Sequence, residues 1–230
     1  MLTTQLIAKM IDHSLLNPVM TPDDIREGCQ LAKAYQVASV CVRPSDVGIA
    51  AEVLAGSDVL LSTVIGFPHG SNRTETKVAE AELAIDDGCS ELDMVLNIGR
   101  LLGGDLDFVR QDIEAVVQAA HKRGAIVKVI LENCYLTDEL KVTACQICEQ
   151  AGADFVKTST GYGSGGATIE DLKLMRANTG PAVQVKAAGG VRTLDAALQV
   201  RAAGATRFGA TATKAILDQA QQRFAAGTLG

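Results

Sequence analysis

The chain has 230 residues, of which 47% are hydrophobic, 21% charged and only 3% aromatic, with no Trp. That length suits a single domain with a sizeable core, and the composition excludes a disordered or low-complexity chain. A net charge of −6, from 27 acidic against 21 basic residues, together with so few aromatics argues against a nucleic-acid partner.

No apolar run approaches the roughly 20 residues that span a bilayer. The opening MLTTQLIAKMIDHSLL lacks a basic stretch followed by an apolar one, so no secretory leader and no membrane association are expected. Six cysteines stand singly in apolar surroundings apart from Cys145-x-x-Cys148, which falls inside a helical pattern with no His at ligand spacing. Buried free thiols in a cytoplasmic protein are expected, with no metal. His13, His69 and His121 form no ligand pattern, so each is read as a satisfied or surface residue.

In chain order, β-branched runs mark strands at Ile11–Leu16, Ala38–Val42, Val59–Ile65, Glu91–Leu96, Ile126–Glu132, Asp154–Thr158, Val183–Ala187 and Thr206–Phe208. Amphipathic helical patterns follow each of them. Thr21-Pro22-Asp23-Asp24 opens the helix after the first strand, with an N-cap, a proline and acids in the first turn. Thr137-Asp138-Glu139 and Thr193-Leu194-Asp195 do the same after strands five and seven. Gly88, Gly124, Gly152 and Gly204 close the helices before strands four, five, six and eight. Eight strand–helix units of about 25–30 residues predict a (β/α)8 TIM barrel, an α/β fold, as one domain over residues 1–230. An open doubly wound sheet is the rival.

Strands of a parallel barrel are buried on both faces, and alternation sorts their side chains. Val127, Val129 and Leu131 share the helix-facing side of strand five, which turns Lys128 and Glu132 inward. The same parity turns Asp93, Lys157, Lys186 and Cys41 inward. Taken singly, each charge has a bland explanation as a solvated strand end or a paired core residue. Three lysines against one inward Asp are unevenly paired, and such a surplus of cations depresses one lysine's pKa. A neutral amine in a closed cavity is the nucleophile that forms a Schiff base with a carbonyl.

Glycine-bearing loops follow strands six, seven and eight, carrying Gly161, Gly189, Gly190 and Gly209 with Thr211 and Ser164 as hydroxyl donors. Barrel phosphate sites occupy this position. Gly161-x-Gly163-x-x-Gly166 matches a dinucleotide fingerprint in form only, since it follows the sixth strand and lacks the acidic residue about 20 positions on.

Asp12-His-Ser-Leu-Leu16, Val40-Cys-Val-Arg-Pro44, Ile65-Gly-Phe-Pro-His-Gly-Ser71, Glu91-Leu-Asp-Met-Val-Leu-Asn-Ile-Gly99, Lys128-Val-Ile-Leu-Glu132, Phe155-Val-Lys-Thr-Ser-Thr-Gly161 and Val185-Lys-Ala-Ala-Gly-Gly-Val-Arg192 together resemble the deoxyribose-phosphate aldolases. The likeness covers nearly the whole chain. It implies a cofactor-free, metal-independent class I aldolase that splits 2-deoxy-D-ribose 5-phosphate into D-glyceraldehyde 3-phosphate and acetaldehyde. By resemblance Lys157 is the Schiff-base lysine, Lys186 the lysine that lowers its pKa, and Asp93 the proton relay. Gly161, Gly189, Gly190, Gly209 and Thr211 fall at the phosphate, and Asp12, Cys41, Lys128 and Thr160 at the substrate. Lys128 is also expected to hold Asp93 ionised. The implied partners are a small sugar phosphate and acetaldehyde, and the expected assembly is a cytoplasmic homo-oligomer. Ser14 stands where Thr is commoner, the last loop reads Gly209-Ala-Thr-Ala-Thr213 where serines are usual, and the sequence ends without the terminal Tyr of some members. A phosphate-binding isomerase or epimerase, and a catalytically silent sugar-phosphate sensor, are the alternative readings.

Overall fold

The computed structural model describes residues 2–229. Eight parallel strands, β1 (Ile11–Leu15), β2 (Ser39–Val42), β3 (Leu60–Ile65), β4 (Glu91–Val95), β5 (Ile126–Ile130), β6 (Phe155–Lys157), β7 (Gln184–Ala187) and β8 (Arg207–Ala210), follow one another around a closed barrel. Closure is made by Asp12 opposite Gly209 and His13 opposite Ala210. The expected (β/α)8 architecture is borne out.

Around the strands lie α2 (Pro22–Ala34), α3 (Val47–Leu54), α4 (Thr74–Asp86), α6 (Leu106–His121), α7 (Asp138–Gln150), α8 (Ile169–Ala177), α9 (Leu194–Ala202) and α10 (Thr213–Ala225). Two short helices add to the eight expected: α1 (Thr4–Ala8) ahead of β1, and α5 (Ile98–Leu102) between β4 and α6. Thr21 caps α2 with a complete capping box, accepting the Asp24 N–H while Asp24 accepts the Thr21 N–H at 2.7 Å. Thr137 and Thr193 cap α7 and α9 through their hydroxyls. The four helix-closing glycines sit at positive φ, reaching 107° at Gly88 and 103° at Gly204.

Strand limits depart from the sequence reading at two informative places. β8 runs on through Gly209 and Ala210, because pairing with β1 carries past the point where Gly-Ala reads as a loop. β5 stops at Ile130, because Glu132 takes a left-handed backbone (φ 56°, ψ 62°). Its side chain therefore leaves the barrel interior that parity assigns to it.

The packed core lies between strands and helices, where Leu92, Met94, Val127, Val129, Val156 and Val185 are fully buried. On the inner face Lys128, Lys157 and Lys186 are buried with Asp12, Glu91 and Asp93. Among the described residues no helix is long and apolar enough to cross a membrane.

Candidate active site

The ladder sets the charged side chains side by side. Asp93 registers with Lys128 across β4 and β5, Lys157 with Lys186 across β6 and β7, and Lys186 with Arg207 across β7 and β8. Lys157 donates to Asp93 Oδ2 at 2.7 Å, Lys186 donates to the same oxygen at 2.6 Å, and Lys128 donates to Oδ1 at 2.8 Å. Both oxygens of Asp93 are thereby committed to lysines.

The cluster is larger than the sequence reading allows. Asp12 pairs with Lys186 and accepts from Arg207 Nε at 2.7 Å. Glu91 pairs with Lys128 at 2.6 Å and with Arg207 at 2.8 Å. The expected imbalance of three cations against one Asp is corrected to four cations against three carboxylates. The sequence reading counts Asp12 only as a substrate contact, leaves Glu91 aside and gives no role to Arg207 on the shortest predicted strand. A surplus of one positive charge remains.

That surplus is distributed unequally. Burial pulls Lys157 below the ordinary lysine value; Asp93 opposes the shift and the Lys186 cation adds to it. Burial acts on Lys186 as well, but Asp12 and Asp93 outweigh it and raise its pKa. Lys128 is raised in the same way, against burial, by Asp93, Asp12 and Glu91. Burial would raise the carboxyl of Asp93, yet Lys128, Lys157 and Lys186 hold it well below the usual range. One lysine is thus destabilised as an ammonium beside two that are locked as cations.

Above the cluster opens a cavity of about 890 Å³ whose floor includes Lys157, Lys186, Asp12 and Cys41. Burial raises the Cys41 thiol pKa, which keeps it protonated near neutrality. Asp93 lies directly beneath, fully buried. Lys128 is fully buried too and, like Asp93, does not line the cavity; it stands as a partner of Asp93.

The rim on the β6, β7 and β8 side carries Thr160, Gly161, Gly189, Gly190, Gly209 and Thr211. Among the described residues, the N–H groups of Gly161, Gly189, Gly190 and Val191 have no hydrogen-bond acceptor. Gly161, Gly189 and Gly190 adopt φ of 89°, 81° and 93°. Gly166 and Gly189 meet backbone to backbone, so that a Cβ on Gly166 would stand 2.7 Å from the Gly189 carbonyl oxygen. At the N-terminus of α10, Ala212 offers no side-chain cap to the first turn. Free N–H groups, an uncapped helix start and the nearby cation Arg192 make this rim receptive to an anion. Ser164, named with the loop hydroxyls, does not line the cavity.

Arg192 and Tyr162 are cavity residues that the sequence reading misses, although both sit inside the glycine loops. The Tyr162 hydroxyl donates to the Leu16 carbonyl at 2.7 Å and its ring meets Phe67 edge-on, strapping the loop after β6 to the loop after β1. His13 is buried against the Thr213 hydroxyl at 2.8 Å, its pKa lowered to about 4 by burial. His69 is exposed, and exposed His121 bonds Asp154 at 2.9 Å.

A family model described as DeoC/LacD family aldolase matches residues 6–219. The chain is 54% identical over 217 residues to the deoxyribose-phosphate aldolase of Rhodopirellula baltica, covering 94% of this chain and 90% of that protein. It is 52% identical to that of Thermococcus gammatolerans, covering 94% and 96%. In structure it is similar to the deoxyribose phosphate aldolase from Aeropyrum pernix, described as a unique tetramer, with TM-score 0.88, 30% identity and coverage of 94% and 92%.

Proposed function

This chain belongs to the DeoC/LacD family of aldolases, and from that premise we propose that it cleaves 2-deoxy-D-ribose 5-phosphate reversibly into D-glyceraldehyde 3-phosphate and acetaldehyde through a Schiff base on Lys157. The observation that carries this reading is the unequal pair at Asp93 Oδ2, where a depressed lysine and a cationic one share a single carboxylate oxygen.

Lys157, as the free amine, adds to the C1 aldehyde of the open-chain sugar to give a carbinolamine. Loss of hydroxide as water needs a proton. Asp93 rests ionised, so the proton at rest is on Lys186, and Asp93 Oδ2 is placed to pass it on. The iminium then draws electrons. Removal of the C3 hydroxyl proton breaks the C2–C3 bond, releases glyceraldehyde 3-phosphate and leaves the enamine of acetaldehyde. Protonation at C2 and addition of water release acetaldehyde and free the amine. On this reading the phosphate is assigned to the glycine rim, where Gly161, Gly189 and Gly190 present free N–H groups.

An isomerase or epimerase would call for a carboxylate free to act as base beside Lys157 on the cavity floor, whereas there Asp93 is tied to three lysines and Asp12 to Lys186 and Arg207. On the same reading the enzyme works in the cytoplasm as a homo-oligomer and needs no cofactor. Borohydride reduction in the presence of acetaldehyde tests the chemistry. An ethyl adduct on the peptide carrying Lys157, lost together with turnover in Lys157→Leu, is expected. An adduct on another lysine, or turnover surviving in that variant, overturns the assignment.

A further inference from the structure

Glu132 is a buried carboxylate that the chemistry above does not use. It is 2% exposed, and among the described residues it makes no ion pair with any Lys, Arg or His. An anion buried without a cation is costly unless hydrogen bonds replace its water. Here a single residue supplies them. The Thr160 N–H donates to both carboxylate oxygens, at 3.2 and 3.3 Å, and the Thr160 hydroxyl donates to Oε2. Thr160 Oγ1 in turn accepts the Tyr162 N–H at 3.0 Å, and Tyr162 is the residue strapped to Leu16.

The backbone of Glu132 is bent to make this contact. Its φ of 56° lies in the left-handed region, which is unfavourable for a residue with a Cβ. The loop after β6 lies directly on it, since a Cβ on Gly163 would stand 3.1 Å from the Glu132 carboxyl carbon. By occupying the Thr160 N–H, Glu132 fixes the Ser159–Thr160 peptide, one peptide ahead of the one that carries the Gly161 N–H, which is left free on the cavity rim. Both carboxylate oxygens are engaged by Thr160.

We propose that Glu132 is a positioning residue that shapes the Thr160–Tyr162 loop to receive the substrate's phosphate, and so governs affinity for phosphorylated substrates without governing the chemistry at Lys157. The proposal rests on the sugar-phosphate reading above. The test compares the whole enzyme with Glu132→Ala, Glu132→Gln and Glu132→Asp. For Glu132→Ala, the KM for 2-deoxyribose 5-phosphate and the inhibition constant of inorganic phosphate should rise by about tenfold, the equivalent of one hydrogen bond to a charged group. Trapping of acetaldehyde and kcat/KM for unphosphorylated 2-deoxyribose should stay within about threefold, a change of under 1 kcal/mol. Glu132→Gln keeps an acceptor for the N–H and should recover most of the loss. Should Glu132→Ala fail to fold, Glu132→Asp, which keeps the carboxylate but shortens its reach to Thr160, should shift the same two constants in the same direction. Equal losses for phosphorylated and unphosphorylated sugars, or an unchanged phosphate constant, overturn the proposal. Failure of the wild type to trap acetaldehyde would overturn the Schiff-base reading alone, because inorganic phosphate titration reads Glu132 independently.

Discussion

Two lysines one strand apart, equally buried, differ because of what else touches them. Lys157 has one carboxylate partner, Asp93, whereas Lys186 has Asp93 and Asp12. For Lys157 burial prevails and the pKa falls; for Lys186 the two anions prevail and it rises. Reactivity of Lys157 therefore increases with pH as its ammonium loses a proton, and reaches a plateau above the lowered pKa. Lys186→Met removes the cation that assists burial and leaves Asp93 to stabilise the Lys157 ammonium. The rise in borohydride trapping should move to higher pH, so that trapping at pH 7 slows. An unmoved profile would deny Lys186 this part. His13 makes a separate pH prediction. Its folded pKa is lowered from 6.5 to about 4, so between those values the unfolded chain binds a proton that the folded one does not. Stability is whole above pH 6.5 and falls as pH drops, by about 3 kcal/mol at pH 4 and roughly 2 by pH 5. Urea midpoints at pH 7 and 5 should diverge far less in His13→Asn, and equal divergence would assign the acid loss elsewhere.

At the scale of elements, α4 is fastened by a buried ion pair. Lys77, fully buried, donates to Asp112 of α6 at 2.6 Å and to the carbonyl of Val95 at the end of β4 at 3.0 Å. It also fills the space beside Gly66, where a Cβ would stand 2.8 Å from its Cε. Asp112→Ala leaves the cation buried and unpaired, which should lower stability by about 3–5 kcal/mol. For a chain of this size that is a fall of roughly 10 °C in Tm. Lys77→Met with Asp112→Leu should regain at least half, and a double variant no better than the single would show that packing, not charge, sets the loss. None of this pair was legible in the sequence, because helical periodicity places Lys77 on a face but cannot say that Asp112, thirty-five residues on, meets it. What was legible obeys short-range rules. Threonine caps, helix-closing glycines and alternation within strands each depend on neighbours a few residues away, and they locate the strands and turn Asp93, Lys128, Lys157 and Lys186 inward. Alternation fails at Glu132, where a left-handed residue resets the parity, and it passes over Arg207 because three residues of predicted strand are too few to show a period.

The whole molecule enters through closure of the barrel. Asp12 comes from β1, Glu91 and Asp93 from β4, Lys128 from β5, Lys157 from β6, Lys186 from β7 and Arg207 from β8. Asp12 and Arg207 lie 195 positions apart and meet only because β8 pairs with β1. Lys128 meets Glu91 and Asp93 on the neighbouring strand, but the pairs of Asp12 with Lys186 and Arg207 form only when the ring is complete, so the contributions of cluster and fold must be separated by charge arithmetic. Asp93→Asn changes the surplus from one cation to two, with three lysines losing a partner at once. Stability should fall by about 3–5 kcal/mol, again roughly 10 °C in Tm. Adding Lys128→Met returns the surplus to one without touching the cavity, since Lys128 does not line it. The double variant should therefore recover at least half of the lost stability. Turnover should remain absent in both, because the amide that replaces the carboxylate cannot carry a proton between Lys186 and the carbinolamine. A double variant as unstable as Asp93→Asn would mean that charge balance does not hold the barrel centre, and a return of turnover would remove Asp93 from the proton path.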